Sequence, residues 1–161
     1  MGLITVKAEA VLEAPAEAVY ATIADYRHGH PNILPKEFYD LQVEQGGYGA
    51  GTIFRFKTRV LGVEQSFYQR TSEPEPGRVL VEQDIDSVQQ VTTTLLVTPV
   101  EQGQKSHVEI STTVNANPGF KGLVEHIVAP RVLTSIYRKE FKLLEAVAQK
   151  RKSSIVESKQ S

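Results

Sequence analysis

The chain of 161 residues has no cysteine, no tryptophan and a single methionine. Without cysteine there is neither a disulfide framework nor a thiolate metal site, and nothing requires an oxidising compartment. Long apolar runs are also missing. Charged residues interrupt every hydrophobic stretch well before the roughly 20 residues that a membrane-crossing helix needs, so no stable membrane insertion is expected. The opening Met1-Gly2-Leu3-Ile4-Thr5-Val6-Lys7 lacks the basic-then-apolar plan of a secretion signal, and a cytoplasmic location is the expectation. Neither sign of charge dominates: 18 basic against 19 acidic residues leave −1. Lys150, Arg151, Lys152 and Lys159 against Glu157 make the end of the chain +3, which leaves the remainder at −4. A body of that sign offers phosphates no basic face, which excludes nucleic acid as the expected partner.

What is present reads as one α+β domain over 1–150, followed by a disordered polar and basic tail over 151–161. Residues 3–13 alternate, with Ile4, Val6, Ala8, Ala10 and Leu12 on one side, as a half-buried strand does. Pro15 opens a short helix to about Asp25, with Val19, Tyr20 and Ile23 on its apolar face. Residues 26–35 hold two prolines and a glycine and allow one short helical turn. Strands then follow at 38–45, 52–60, 63–72, 78–85, 88–100 and 105–115, separated by turn signals, which makes seven. Asn117-Pro118 starts a long helix over 117–150. Leu123, Ile127, Pro130, Thr134, Tyr137, Phe141 and Leu144 form its apolar stripe. Pro130 inside this helix removes a bond to the carbonyl of His126 and predicts a kink there.

Turn positions also assign faces, because residues opposite one another in an antiparallel pair point the same way. A reversal at Leu61-Gly62 sets Val60 against Val63, Thr58 against Gln65, Phe56 against Phe67 and Phe54 against Gln69. A reversal at Asp86-Ser87 groups Val79, Val81, Gln83 and Ile85 with Gln90, Thr92 and Thr94, and sends Glu82 and Asp84 outward. The last turn groups Leu96, Thr94 and Thr92 with Val108, Ile110 and Thr112. An inner face carrying this many amides and hydroxyls among phenylalanines points to a cavity, since each such group costs roughly 1 to 3 kcal/mol in a dry core without a partner. The ligand-facing set is Phe54, Phe56, Gln65, Phe67, Val79, Val81, Gln83, Gln90, Thr92, Ile110, Leu123, Ile127 and Tyr137. Val91, Leu95 and Val97 fall on the outer face as an apolar row suited to a homodimer contact.

Three stretches resemble the START-like or SRPBCC superfamily of helix-grip proteins, in particular its polyketide cyclase/dehydrase and lipid transport-like members. They are Ala14-Pro15-Ala16-Glu17-Ala18-Val19-Tyr20 with Asp25-Tyr26, the Gly49-Ala50-Gly51-Thr52 strand entry, and Val132-Leu133 through Glu140-Phe141-Lys142-Leu143-Leu144. The likeness spans residues 3–149. It implies a seven-stranded curved antiparallel sheet wrapped around the long C-terminal helix, two short helices after the first strand, and an elongated cavity between sheet and helix. It implies no cofactor and no single catalytic motif. Relatives often carry tryptophan after the first helix, where this chain has Tyr26, His28 and Pro31.

The expected function is therefore binding of a hydrophobic or amphipathic small molecule such as a lipid, quinone or polyketide. Tyr26, His28 and His30 would stand at the cavity entrance. An aromatase/cyclase or dehydratase acting in the same cavity would draw on His30 or Tyr137 for proton transfer, because imidazole titrates near neutrality. No serine lies in a glycine-flanked nucleophile elbow. The histidines, His28 and His30 with His107 and His126, show no metal-binding spacing beyond the first pair, so no metal is expected. A protein-interaction module using the outer strand row is the third reading.

Overall fold

Apolar–polar alternation produces seven strands, and glycine-rich turns reverse the chain between them. The computed structural model describes residues 2–116 and 130–160, with side chains over 3–115 and 130–152. In chain order the elements are β1 (Gly2–Leu12), α1 (Ala16–Ala24), a 3-10 turn (His30–Asn32), β2 (Phe38–Gln45), β3 (Ile53–Val60), β4 (Val63–Glu75), β5 (Val79–Asp84), β6 (Thr92–Val100), a second 3-10 turn (Glu101–Gly103), β7 (Lys105–Ala116) and α2 (Pro130–Gln160). All strand pairs are antiparallel, in the order β1-β7-β6-β5-β4-β3-β2. A meander from β2 to β7 is thus completed by β1, and both helices pack on the same face. No helix among the described residues is long and apolar enough to cross a membrane.

The inner face is read from burial. It comprises Val6, Ala8 and Leu12 of β1, Val108, Ile110 and Val114 of β7, Leu95 and Val97 of β6, Leu80 of β5 and Phe54 and Val60 of β3. From α2 come Leu133, Ile136, Tyr137, Phe141, Leu144 and Ala148, spaced three or four apart along one stripe. Thr134 is only half-buried and Pro130 is exposed, so the stripe before Tyr137 runs through Leu133 and Ile136. Pro130 is the first residue of the described helix. The kink expected from its lost bond to His126, the helix start at Asn117-Pro118, and Leu123 and Ile127 all lie outside the described residues.

Interactions far apart in sequence hold α2 on the sheet. The Arg151 guanidinium donates to Asp25 Oδ2 at 2.9 Å, and Glu145 accepts from the Glu13 N–H at 2.9 Å. Gln149 donates to the Glu13 carbonyl at 3.0 Å. The helix continues to Gln160 rather than fraying after Lys150. Residues 150–160 contain neither proline nor glycine to stop it. Beside the C-terminal end of α1, Gly49 (φ +63) approaches so closely that a Cβ there would lie 2.2 Å from Glu73 Oε1, the atom that accepts from the Ala50 N–H at 2.7 Å. This fixes the Gly49-Ala50-Gly51-Thr52 entry to β3.

Two face assignments differ from the expectation. The β3–β4 register is as read, from Val60 against Val63 to Phe54 against Gln69. Between β5 and β6 the chain reverses over residues 85–91, not at Asp86-Ser87 alone. The observed pairs are Gln83 with Thr92, Val81 with Thr94 and Val79 with Leu96, two residues further on than expected, which preserves the grouping. The 3-10 turn at Glu101–Gly103 shifts the β6–β7 register by one, so Val97, Leu95 and Thr93 face Val108, Ile110 and Thr112. A one-residue slip inverts a strand. Leu95 and Val97 are therefore core residues, and Val91 lines the internal cavity, so they do not form an outer row for a dimer contact. Val79, Val81, Gln83 and Thr92 share the opposite face, and the buried face of β5 is Leu80, Glu82 and Asp84. Glu82 and Asp84 therefore point inward, where partners inside the protein receive both of them.

Truncation separates the two faces of β6. Leu95→Ala, at a site 2% exposed, should cost about 2–5 kcal/mol, and half-buried Leu96→Ala about 1 kcal/mol or less. Urea unfolding of both variants measures the difference. Equal costs would contradict the inward assignment.

Candidate functional site

Three adjacent strands deliver an aromatic wall. Phe56 of β3 stacks on Phe67 of β4 with ring centroids 4.9 Å apart and planes 12° from parallel. Phe54 lies 5.8 Å from Phe56, and Phe38 of β2 lies 6.0 Å from it. The strand period of two puts Phe54, Phe56, Thr58 and Val60 on one face and sends Arg55 and Arg59 outward. Opposite this wall stand Leu95, Ile110 and Val114, and Leu133 and Ile136 of α2 close the space. The cavity these residues enclose has a volume of about 80 Å³, room for a few waters.

Polar groups collect at one end. Glu82, 8% exposed, reaches in from β5 and accepts a hydrogen bond from the Tyr26 hydroxyl at 2.5 Å. Its Oε1 also lies 3.6 Å from His30 Nε2. His30 is oriented from behind, its Nδ1–H donating to the Ile23 carbonyl at 2.7 Å, and its ring stacks on Tyr26 at 4.4 Å. Tyr26 in turn packs on Phe54 at 4.7 Å, so the polar end and the aromatic wall are continuous. Neighbouring Asp84 accepts from Gln69 and from the Val91 N–H, each at 2.9 Å.

From α2, Glu140 and Tyr137 face this end. The Tyr137 hydroxyl is hydrogen-bonded to Thr112 Oγ1, which is bonded to Thr93 Oγ1 at 2.9 Å. Burial pushes the Tyr137 hydroxyl upward, and burial followed by Glu82 pushes Tyr26 upward; both remain protonated donors. Glu140, 5% exposed, has its carboxyl pushed up to about 8, first by burial and then by the Glu82 charge. At neutral pH it is a carboxylic acid facing a second carboxyl group. No described residue hydrogen-bonds to it.

Several expected residues converge here. Phe54, Phe56, Phe67, Ile110, Tyr137 and His30 line the cavity. Tyr26 lies behind the lining, fully buried, and acts on it through Glu82. Gln65 pairs with Thr58 on the inner side of β4 but does not border the cavity. His28 is an exposed loop residue, its side chain 83% accessible, beside Asp25. Val79, Val81, Gln83 and Thr92 belong to the outer face, and Gln90 stays in the loop with φ +48, its amide donating to the Ser87 carbonyl. Leu123 and Ile127 lie outside the described residues. Glu82 and Glu140 were missed. Glu140 lies three residues after Tyr137, on the same helical stripe, and that spacing was the available signal. Among the described residues no three histidine, aspartate or glutamate side chains come together as metal ligands.

Comparison with known proteins places this geometry. The family described as polyketide cyclase / dehydrase and lipid transport matches residues 4–149. Among solved structures the chain is similar to the KanY protein, at 27% identity and a TM-score of 0.78, with 92% of this chain and 99% of that one covered. It resembles the ZhuI aromatase/cyclase from Streptomyces sp. R1128 at 15% identity and a TM-score of 0.73, over 93% and 96% of the two chains. Norcoclaurine synthase from Thalictrum flavum follows at 18% identity and 0.69, over 92% and 87%. The last two likenesses show the helix-grip fold alone. No curated protein matches the chain.

The buried acid has a thermodynamic signature. A carboxyl raised from 4.5 to about 8 by folding holds an extra proton in the folded state between those values. Its contribution to stability is therefore fully present at low pH and declines as pH rises through that window, with a limiting slope of roughly 1.4 kcal/mol per pH unit. Glu140→Gln should remove this decline. Urea unfolding from pH 5 to 8.5 for both proteins tests it, and parallel curves would show that Glu140 is not perturbed.

Proposed function

We propose that this chain, which belongs to the polyketide cyclase / dehydrase and lipid transport family, binds a hydrophobic or amphipathic small molecule between its sheet and α2. The observation that carries this reading is the wall of Phe38, Phe54, Phe56 and Phe67 facing a cavity whose polar groups gather at one end. Apolar surface of this extent supplies affinity, and the few convergent polar groups set orientation. A lipid, quinone or polyketide fits this division of labour. The ligand body lies along the phenylalanines, and an oxygen- or nitrogen-bearing end meets Glu82, Glu140 and Tyr137.

A catalytic reading is favoured by one observation. Glu140 keeps its proton near neutrality inside an apolar cavity, which is the property of a general acid. In a cyclisation or dehydration it would protonate a leaving or carbonyl oxygen. His30 is less suited to that task, because its Nδ1 is committed to the Ile23 carbonyl and its Nε2 faces Glu82. One structural neighbour is named an aromatase/cyclase, and the same reaction class is the one to assay here.

Binding and catalysis are separable by experiment. Mass spectrometry of the protein purified natively from its host identifies a co-purifying small molecule. Phe56→Ala should weaken its uptake about 10- to 100-fold, the equivalent of losing about 1.5–3 kcal/mol of buried ring. Unchanged affinity in that variant would remove the cavity as the binding site. On a poly-β-ketone substrate, the catalytic reading requires Glu140→Gln to abolish turnover while binding survives.

A further inference from the structure

We infer that the ligand is an amphipathic amine on the order of 10 Å long, its cationic nitrogen held between Glu82 and Glu140 and a hydrogen-bonding group at its other end meeting Thr58. This rests on the cavity being the ligand site. Its ground is two polar groups that face the cavity without a hydrogen bond from a described residue. Glu140 is 5% exposed, lines the cavity and receives no hydrogen bond from a described residue. Thr58 is 2% exposed, lines the same cavity, and its Oγ1 has no partner either. Native proteins rarely leave such atoms unsatisfied, and a ligand is one way of satisfying them.

Charge selects the nitrogen. Among the described residues two carboxyl groups line the cavity, and neither lysine nor arginine does. His30 is the one basic side chain among the described lining residues; its Nδ1 is used by Ile23, and its Nε2 already faces Glu82. An anionic ligand would add a third acid to this end. A neutral one would bring no counter-charge to this end. A protonated amine supplies charge-assisted hydrogen bonds to both carboxylates, each of which is largely buried.

Spacing selects the length. Phe54, packed on Tyr26, marks the level of the acidic end, and Thr58 is four residues further along β3. Four residues of strand span roughly 13 Å, with Phe56 between on the same face. The middle of the ligand is therefore apolar, and an aromatic ring suits the stacked Phe56–Phe67 pair.

Protons must balance. Glu140 is faced by Glu82 from β5, by Tyr137 one turn earlier on α2 and by Tyr26, with His30 acting through Glu82. The two tyrosines keep their protons, so Glu140 is the group that ionises as the cation enters. Below its value of about 8 the acid must release one proton for each amine bound, and affinity should rise close to tenfold per pH unit from pH 6 to 8 before levelling.

Calorimetric titration with four compounds tests this: 4-(4-hydroxyphenyl)butylamine, the corresponding butan-1-ol and butanoic acid, and 4-phenylbutylamine. At pH 8 the hydroxyphenyl amine should bind at least about tenfold tighter than the alcohol, and the acid should bind weakest. Glu140→Gln should bring amine and alcohol within about threefold and flatten the pH profile, while binding of the alcohol reports that the cavity is intact. Thr58→Val should remove the advantage of the hydroxyphenyl amine over 4-phenylbutylamine. If the alcohol binds as tightly as the amine, or the preference survives in Glu140→Gln, the amine assignment is wrong and the cavity reading stands. If none of the four binds the wild-type protein, both fall together.

Discussion

Burying Glu82 constrains the rest of this site. A carboxylate inside an apolar sheet face costs several kcal/mol unless donors reach it, and here the Tyr26 hydroxyl reaches it from the segment after α1, with His30 alongside. For those donors to arrive, the chain between α1 and β2 must fold down onto the sheet. Asp25 organises that descent by accepting from the N–H groups of Arg27 and His28. The Tyr26 ring then stacks on His30 and Phe54, coupling the polar end to the aromatic wall. Glu140 follows from the same constraint. Burial first, and Glu82 opposite it second, make this carboxyl retain its proton.

The closing helix is held by side chains of its second half. Arg151 joins it to Asp25, and Glu145 and Gln149 join it to Glu13. Between these contacts and Leu133 it contributes the groups that face the ligand, Tyr137 and Glu140 among them. One residue, Asp25, thus serves both the loop that positions Tyr26 and His30 and the helix that positions Glu140.

Much of the architecture was legible in the residues. The β1 alternation, the Pro15 helix, the Leu61-Gly62 hairpin and its register follow from local patterns and appear as read. Four of the cavity phenylalanine and isoleucine residues, Phe54, Phe56, Phe67 and Ile110, were recognised because they are apolar on correctly registered strands. The failures have a common physical source. The turn between β6 and β7 is longer by one residue than a simple reversal, and that single residue inverted β6 and, through its pairing, β5. The inverted reading also looked more reasonable, since it placed Glu82 and Asp84 in water.

Local chemistry by itself determined the existence of the seven strands and of α1, the antiparallel meander, the aromatic wall and the absence of any thiol chemistry, because periodicity, turn residues and composition act over a few residues at a time. Only the tertiary structure decided that two glutamates face each other in the cavity. A buried acid is permitted by partners distant in sequence, here Tyr26 and His30 for Glu82, 56 residues away in the first case. No pattern confined to the strand that carries Glu82 contains that information, which is why the site's apolar half could be read from the chain and Glu82 could not.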